Sequence, residues 1–350
     1  MSSPELIFVT GASGFLGAHV IHQLLEKGYH VRGTARGTKA DDLQASYARY
    51  GDRFQVVKIA DIGHDQFPEV LKGVSAVLHL ATPMPGKIGF EEQLKGAVDG
   101  TMNVVIQAEK AGIRKVVVTS SIAAVQMLPA VPGTSFTDKD WTPMTKEHAI
   151  ASKNPVAVYV VSKKLSEQAL WKWADKHPHV DVTTLNPTFF FGPLAPNFPV
   201  PPVPTMSTFS TNYMVYNLLF PKGVFPPMAT TYIDVRDVAA AHVAALSSPP
   251  TSKVGRKRVI LSSPHGASVP QLLQLLAEKR PALKGRLTGV LTKTELDVLP
   301  LDWARVDAVL GLKKSDFRTL EETFLQTVDE LVQIEEGWKR AGHAIRKPKL

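Results

Sequence analysis

The chain has 350 residues, long enough to bury a sizeable core and to form two domains, or one domain with a large insertion. Apolar residues make up 44% and charged residues 21%, close to globular averages and unlike a disordered or fibrous chain. The net charge of +8 is spread along the chain, with short basic clusters only at 253–258 and 346–349, so a solvated surface is expected and no nucleic-acid or membrane partner.

Cysteine is absent, which removes disulfides, thiolate catalysis and Cys-ligated zinc, and fits a reducing, cytoplasmic setting. The N-terminal Met1-Ser2-Ser3-Pro4 leads straight into an apolar strand, so no signal peptide is expected. At the other end Pro348-Lys349-Leu350 shares two residues with the peroxisomal Ser-Lys-Leu signal and reads as a basic tail. No apolar run approaches the ~18 residues of a membrane span.

The first 190 residues alternate short β-branched runs with longer helical patterns, which predicts a parallel sheet covered on both faces. Strands are expected at Leu6 to Thr10, His30 to Ala35, Phe54 to Ile59, Ala76 to Leu80, Lys115 to Ser120 and Val180 to Leu185. The clearest helices, with apolar residues three and four apart, are Leu16 to Lys27, Phe90 to Ala111 and Val156 to His177. From Val182 to Pro221 there is no Asp, Glu, Lys, Arg or His, which means plain core or the wall of an apolar pocket. Strand and helix patterns return at Thr230 to Leu246, Lys257 to Ser262 and Val269 to Lys279, followed by helices. The reading is an α/β, Rossmann-type doubly wound parallel sheet with a smaller interleaved α/β substrate domain. Residues 1–190 and about 230–262 form the nucleotide part, and about 191–229 with 263–350 the substrate part, with a cleft between them.

The first strand runs into Gly11-Ala12-Ser13-Gly14-Phe15-Leu16-Gly17 and then a helix. A pyrophosphate reaches a helix N-terminus only where the turn is tight and carries no Cβ, and glycines at 11, 14 and 17 meet that need. The second strand ends Thr34-Ala35-Arg36, with no acid before Asp41. An NAD site places a carboxylate there for the ribose hydroxyls, so Arg36, helped by Lys39, points to the 2′-phosphate of NADP. Asp61 and Ile62, after the third strand, stand where a side chain meets the adenine amine.

Tyr159 and Lys163 are four apart in a helical stretch and share one face. Carbonyl reduction builds charge on oxygen, and Tyr159 is expected to supply the proton with its pKa lowered by the Lys163 ammonium, which can also hold the nicotinamide ribose. Such a pair is expected by chance in roughly one chain in two of this length. Its place between the fifth and sixth strands puts it at the carboxyl edge of the sheet, where ligands bind. The fifth strand ends there in Thr119-Ser120-Ser121: a hydroxyl of Ser120 or Ser121 is placed to hold the substrate carbonyl, and Thr119 to meet the cofactor.

These features together resemble the extended short-chain dehydrogenase/reductases, within the dihydroflavonol reductase, cinnamoyl-CoA reductase and fungal ketone/aldehyde reductase branch. The matching segments are Val9 to Gly17, Val31 to Arg36, Leu78 to Pro83, Val118 to Ser121, Tyr159 to Lys163, Asn186 to Pro193 and Tyr232 to Val238. The resemblance implies that Ser121 is the catalytic serine, that Ala81 and Thr82 line the cofactor, that Asp61 and Ile62 flank the adenine, and that Pro187 contacts the nicotinamide end. His79 and Arg236 are read as structural, and no metal is called for.

The expected function is NADPH-dependent reduction of a ketone or aldehyde by Ser121, Tyr159 and Lys163, in a monomer or homodimer. Because the uncharged stretch lacks cations for a coenzyme A ester or sugar nucleotide, an apolar or aromatic substrate is expected, against residues such as Phe189, Phe190, Phe209, Tyr213 and Tyr216. The alternatives are an epimerase or dehydratase of the same superfamily, which needs a pyrophosphate-binding cation on the substrate side, and a non-catalytic dinucleotide sensor, which has no need of the Tyr-Lys pair.

Overall fold

The computed structural model describes residues 5–82, 89–126, 137–227, 229–292 and 295–345; Pro83 and the basic tail at 346–350 lie outside them. The first part of the chain forms β1 (Leu6–Thr10), α1 (Phe15–Glu26), β2 (His30–Ala35), α2 (Lys39–Ser46), β3 (Phe54–Lys58), β4 (Val74–His79), α3 (Phe90–Lys110), β5 (Lys115–Thr119), α4 (Lys146–Ala151), α5 (Pro155–Ala174) and β6 (Asp181–Pro187). It continues with β7 (Phe189–Phe191), α6 (Tyr213–Asn217), β8 (Tyr232–Asp234), α7 (Val235–Ala244), α8 (Thr251–Val254), β9 (Lys257–Leu261), β10 (Ala267–Ser268), α9 (Val269–Lys279), β11 (Glu295–Leu296), α10 (Trp303–Leu310) and α11 (Leu320–Arg340).

Seven strands form one parallel sheet in the order β3-β2-β1-β4-β5-β6-β9. The chain turns outward in opposite directions from β1 and β4, which opens a crevice at their carboxyl ends. Alternation along β1 supplies both faces: Ile7 and Val9 pack with α1 and α7, whereas Phe8 packs with Val77, Val104 and Trp171 on the side of α3 and α5. The sheet is thus buried from both sides, as its continuous apolar runs require.

A second core gathers Phe191, Phe209, Tyr216, Phe225, Tyr232, Leu272, Phe324 and Leu331 from β7, β8, α6, α9, α11 and their connections. The uncharged stretch supplies β6 and much of this core, including Phe191, Phe209, Met214, Val215, Tyr216, Leu218 and Leu219, so those residues are core and not pocket wall. β7 and β8 pair in parallel and leave the main sheet just beyond Pro187. α10 belongs with the sheet: Val306, Val309 and Leu310 join the core under β9, although the sequence division assigns them to the substrate part.

Candidate active site

At the end of β1 the chain turns at Gly11, whose φ of +70° suits glycine alone; a Cβ there would stand 2.8 Å from the Ala81 nitrogen. Gly17 lets α1 pack on this turn, since a Cβ would lie 2.2 Å from the Gly11 carbonyl oxygen. Gly14 caps α1 with no side chain, and no acid stands in the first turn, so the N-terminal N–H groups meet an anion unopposed. Phe15 and Leu16 are buried and anchor the helix behind the loop. A side-chain-free cradle on a helix N-terminus fits a dinucleotide pyrophosphate.

The loop after β4 is held against this turn by Thr10, whose hydroxyl oxygen accepts hydrogen bonds from the Leu80 and Ala81 N–H groups at 3.1 and 3.2 Å. Thr10 in turn donates to His79 Nδ1 at 2.8 Å. Burial pushes the His79 pKa down to about 3, so this ring is a neutral link between strands, as its structural reading requires. Arg236 likewise grips Asp234 at 2.6 Å and the Glu322 carbonyl at 3.2 Å, tying α7 to α11.

Arg36 and Lys39 are exposed at the mouth of β2, and neither makes an ion pair among the described residues. The nearby acid, Asp41, is matched by Lys58 at 2.8 Å. The rim therefore keeps two free cations, which fits a 2′-phosphate. Asp61 is exposed, but its carboxylate is engaged by the Gly63 N–H at 2.9 Å and by His64 at 2.8 Å, while Asn103 donates to the Ile62 carbonyl at 2.9 Å. These bonds pin the loop to α3 beside the crevice.

Ser121, Tyr159 and Lys163 converge at the carboxyl ends of β5 and β6. Ser121 is extended and caps a short 3-10 turn, accepting the Ala123 N–H at 3.1 Å, and its hydroxyl lies near enough to the Tyr159 phenol to favour the ionised form. Burial raises the Tyr159 pKa, and the Ser121 hydroxyl partly opposes this. Lys163 donates to the Thr82 hydroxyl at 2.9 Å and to the Thr119 carbonyl at 3.2 Å. The ammonium is thus turned to Thr82 and Thr119, not to the phenol, which corrects the expectation that it lowers the Tyr159 pKa directly. Burial brings the Lys163 pKa down to about 8, against the opposing charge of Glu167. Thr119 reaches the site through its carbonyl, because its hydroxyl is engaged with buried His242 at 2.7 Å. Pro187 ends β6 and is buried at the same edge.

Of the aromatic residues expected on the substrate side, Phe209 and Tyr216 are fully buried in the second core and line no cleft. Phe209 packs against Trp338 with ring centroids 5.5 Å apart, and Tyr216 donates to Glu335 at 2.6 Å. Phe189, Phe190 and Tyr213 are half-buried, with Phe190 5.9 Å from the Phe15 ring.

Two residues that sequence reasoning passed over stand behind the site. Glu167 forms a buried ion pair with Arg258 at 2.7 Å and accepts a hydrogen bond from Ser120 at 2.6 Å. Asn186 donates both to Glu167 at 2.8 Å and to the Ser121 carbonyl at 3.1 Å. The available signal was the position of Glu167, four residues after Lys163 on one helix face.

The family model for NAD dependent epimerase/dehydratase family proteins matches residues 7–260. The chain belongs to that family. The NADPH-dependent methylglyoxal reductase GRE2 of Saccharomyces cerevisiae is 30% identical over 351 residues, covering 94% of this chain and 98% of that protein. Cinnamoyl-CoA reductase 1 of Petunia hybrida is 31% identical, covering 80% of this chain and 79% of that protein. Among solved structures, yeast methylglyoxal/isovaleraldehyde reductase Gre2 complexed with NADPH superposes with a TM-score of 0.79 at 29% identity, covering 95% of this chain and 99% of that one.

Proposed function

We propose that the chain is an NADPH-dependent carbonyl reductase that converts a ketone or aldehyde to the alcohol. The observation that carries this reading is the meeting of Ser121, Tyr159 and Lys163 beside a glycine cradle with free cations at its rim. Likeness to NADPH-dependent reductases over most of the chain supports it. Gly11, Gly14, Phe15, Leu16 and Gly17 would hold the pyrophosphate, Arg36 and Lys39 the 2′-phosphate, and Asp61 and Ile62 the adenine. Ala81, Thr82, Thr119 and Pro187 would flank the remainder.

When bound, the dihydronicotinamide supplies a hydride to the carbonyl carbon. Tyr159 gives its proton to the oxygen on which charge develops; its raised pKa keeps the phenol protonated at neutral pH, as a donor must be. Ser121 donates to the same oxygen and orients it. Lys163 spends two of its three N–H donors on Thr82 and Thr119, leaving one for the cofactor ribose. Phe189, Phe190 and Tyr213 supply the apolar side of the cleft.

In this reading residues 1–190 and about 230–262 bind the nucleotide, and the intervening and following segments shape the substrate side. Among the described residues no helix is long and apolar enough to cross a membrane. A cytoplasmic monomer or homodimer acting on a small-molecule carbonyl is the finer form of the proposal.

Tyr159→Phe is the deciding variant. Against a panel of ketones and aldehydes it should lose at least about 100-fold in kcat while NADPH binding, followed by fluorescence, stays intact. Unchanged turnover would remove Tyr159 from catalysis. NADPH consumption in step with alcohol formation separates reduction from an epimerase cycle, which regenerates its cofactor.

A further inference from the structure

Glu167 lies on α5 one turn beyond Lys163, with 3% of its surface exposed. One carboxylate oxygen accepts from Arg258 at 2.7 Å, Thr184 at 2.9 Å and Trp171 at 3.2 Å; the other accepts from Ser120 at 2.6 Å and Asn186 at 2.8 Å. Arg258 also reaches the second oxygen at 3.4 Å, so five residues supply six donors to this one buried carboxylate. Arg258 is itself held by the carbonyls of Asp138 and Asp140 at 2.9 and 2.5 Å, and by the face of Trp141 at 3.9 Å.

Lys163 and Glu167 also line one small cavity of about 20 Å³. The groups facing Lys163 there are neutral His79 from β4, Thr101 from α3, Ser166 from α5 and Ser120 from the end of β5. Thr82 and Thr119, which hold the ammonium, complete the lining on that side. Among the described residues, Glu167 is the anion whose charge acts on Lys163.

We propose that Glu167 is a positioning residue for the catalytic centre: one turn beyond Lys163 and lining the same cavity, it is the acidic group set against the Lys163 ammonium, and its grip on Ser120 and Asn186 fixes the turn that carries Ser121. Arg258 is the counter-charge that sets how much of the Glu167 field reaches Lys163. The inference rests on the reading of Lys163 as part of the site.

Two readouts test it: the alkaline limb of kcat/KM, and the titration of the Lys163 Cε resonance in ¹³C-lysine-labelled protein without cofactor, assigned by its loss in Lys163→Met. Glu167→Gln removes the anion, leaves Arg258 unmatched and should move both midpoints down by about one pH unit. Arg258→Gln, which frees the Glu167 charge, should move them up. Midpoints that stay put in the folded variants, or move in the same direction in both, would overturn the proposal.

Where a single variant does not fold, the double variant Glu167→Gln/Arg258→Gln buries no unpaired charge and is read instead. Its Cε midpoint should fall below the wild-type value, since the nearer charge is lost; an unmoved midpoint refutes the coupling. Should Lys163→Met retain turnover, the reading of the site fails, while the Cε titration still reports on Glu167, so the two failures are separable.

Discussion

Ser120 and Ser121 are adjacent and chemically identical, and what separates them lies on another element. Ser120 is committed to Glu167, whereas Ser121 starts the next turn and accepts the Ala123 N–H, on the side of the Tyr159 phenol. Spacing along one strand carries no trace of that difference, because it is made by a helix 47 residues away. The cofactor rim is different: the absence of an acid after β2 is a local property, and the structure leaves Arg36 and Lys39 without ion-pair partners among the described residues. Replacing a guanidinium by a carboxylate puts repulsion where a 2′-phosphate needs a charge-assisted bond. Arg36→Asp should therefore raise the NADPH dissociation constant at least about tenfold and leave NADH within about twofold, measured by fluorescence titration. Equal weakening of both would take Arg36 out of the 2′-phosphate site.

Strands and long helices were legible to within three residues, since a parallel sheet buried on both faces needs unbroken apolar runs and amphipathic helices to cover it. The aromatic residues of the uncharged stretch were not. Phe209 and Tyr216 read as pocket wall because a fully covered aromatic and a cleft-lining one look alike until the covering helix is known. That helix is α11, and it covers them through a charged cluster. Glu335 receives Arg286 at 2.6 and 3.0 Å, Tyr216 at 2.6 Å and Lys339 at 2.6 Å. Burial by itself raises the pKa of this carboxyl, but the bonds from Arg286, Lys339 and Tyr216 outweigh it and hold the pKa at about 2.

A carboxyl depressed on folding stabilises the fold fully above its unfolded pKa of 4.5 and loses that contribution as pH falls toward 2. Glu335→Gln should cost about 3 kcal/mol in urea unfolding at pH 7, with the gap to wild type narrowing below pH 4.5. A gap independent of pH would mean that packing, not charge, is what Glu335 contributes.

The two cores meet where the chain leaves β7, and the join is polar. Leu194, packed in the sheet-side core, donates its backbone N–H to Glu330 of α11; Trp338 of the same helix donates to the Pro201 carbonyl at 2.8 Å. Interleaving was readable from the return of strand patterns after residue 230, but these ties were not, since each joins a loop backbone to a helix more than 130 residues on. Burial drives the Glu330 pKa up to about 7, with the Leu194 N–H pulling the other way. An acid raised on folding binds more protons in the native state between pH 4.5 and 7, so stability falls as pH rises through that window. A glutamine keeps a carbonyl oxygen for Leu194 but carries no charge to bury. Glu330→Gln should be near neutral at pH 5 and more stable than wild type by about 2 kcal/mol at pH 8, read from urea unfolding at the two pH values. If the variant is instead less stable at pH 8 than at pH 5 relative to wild type, the ionised carboxylate, not the protonated acid, is the form that holds the cores together.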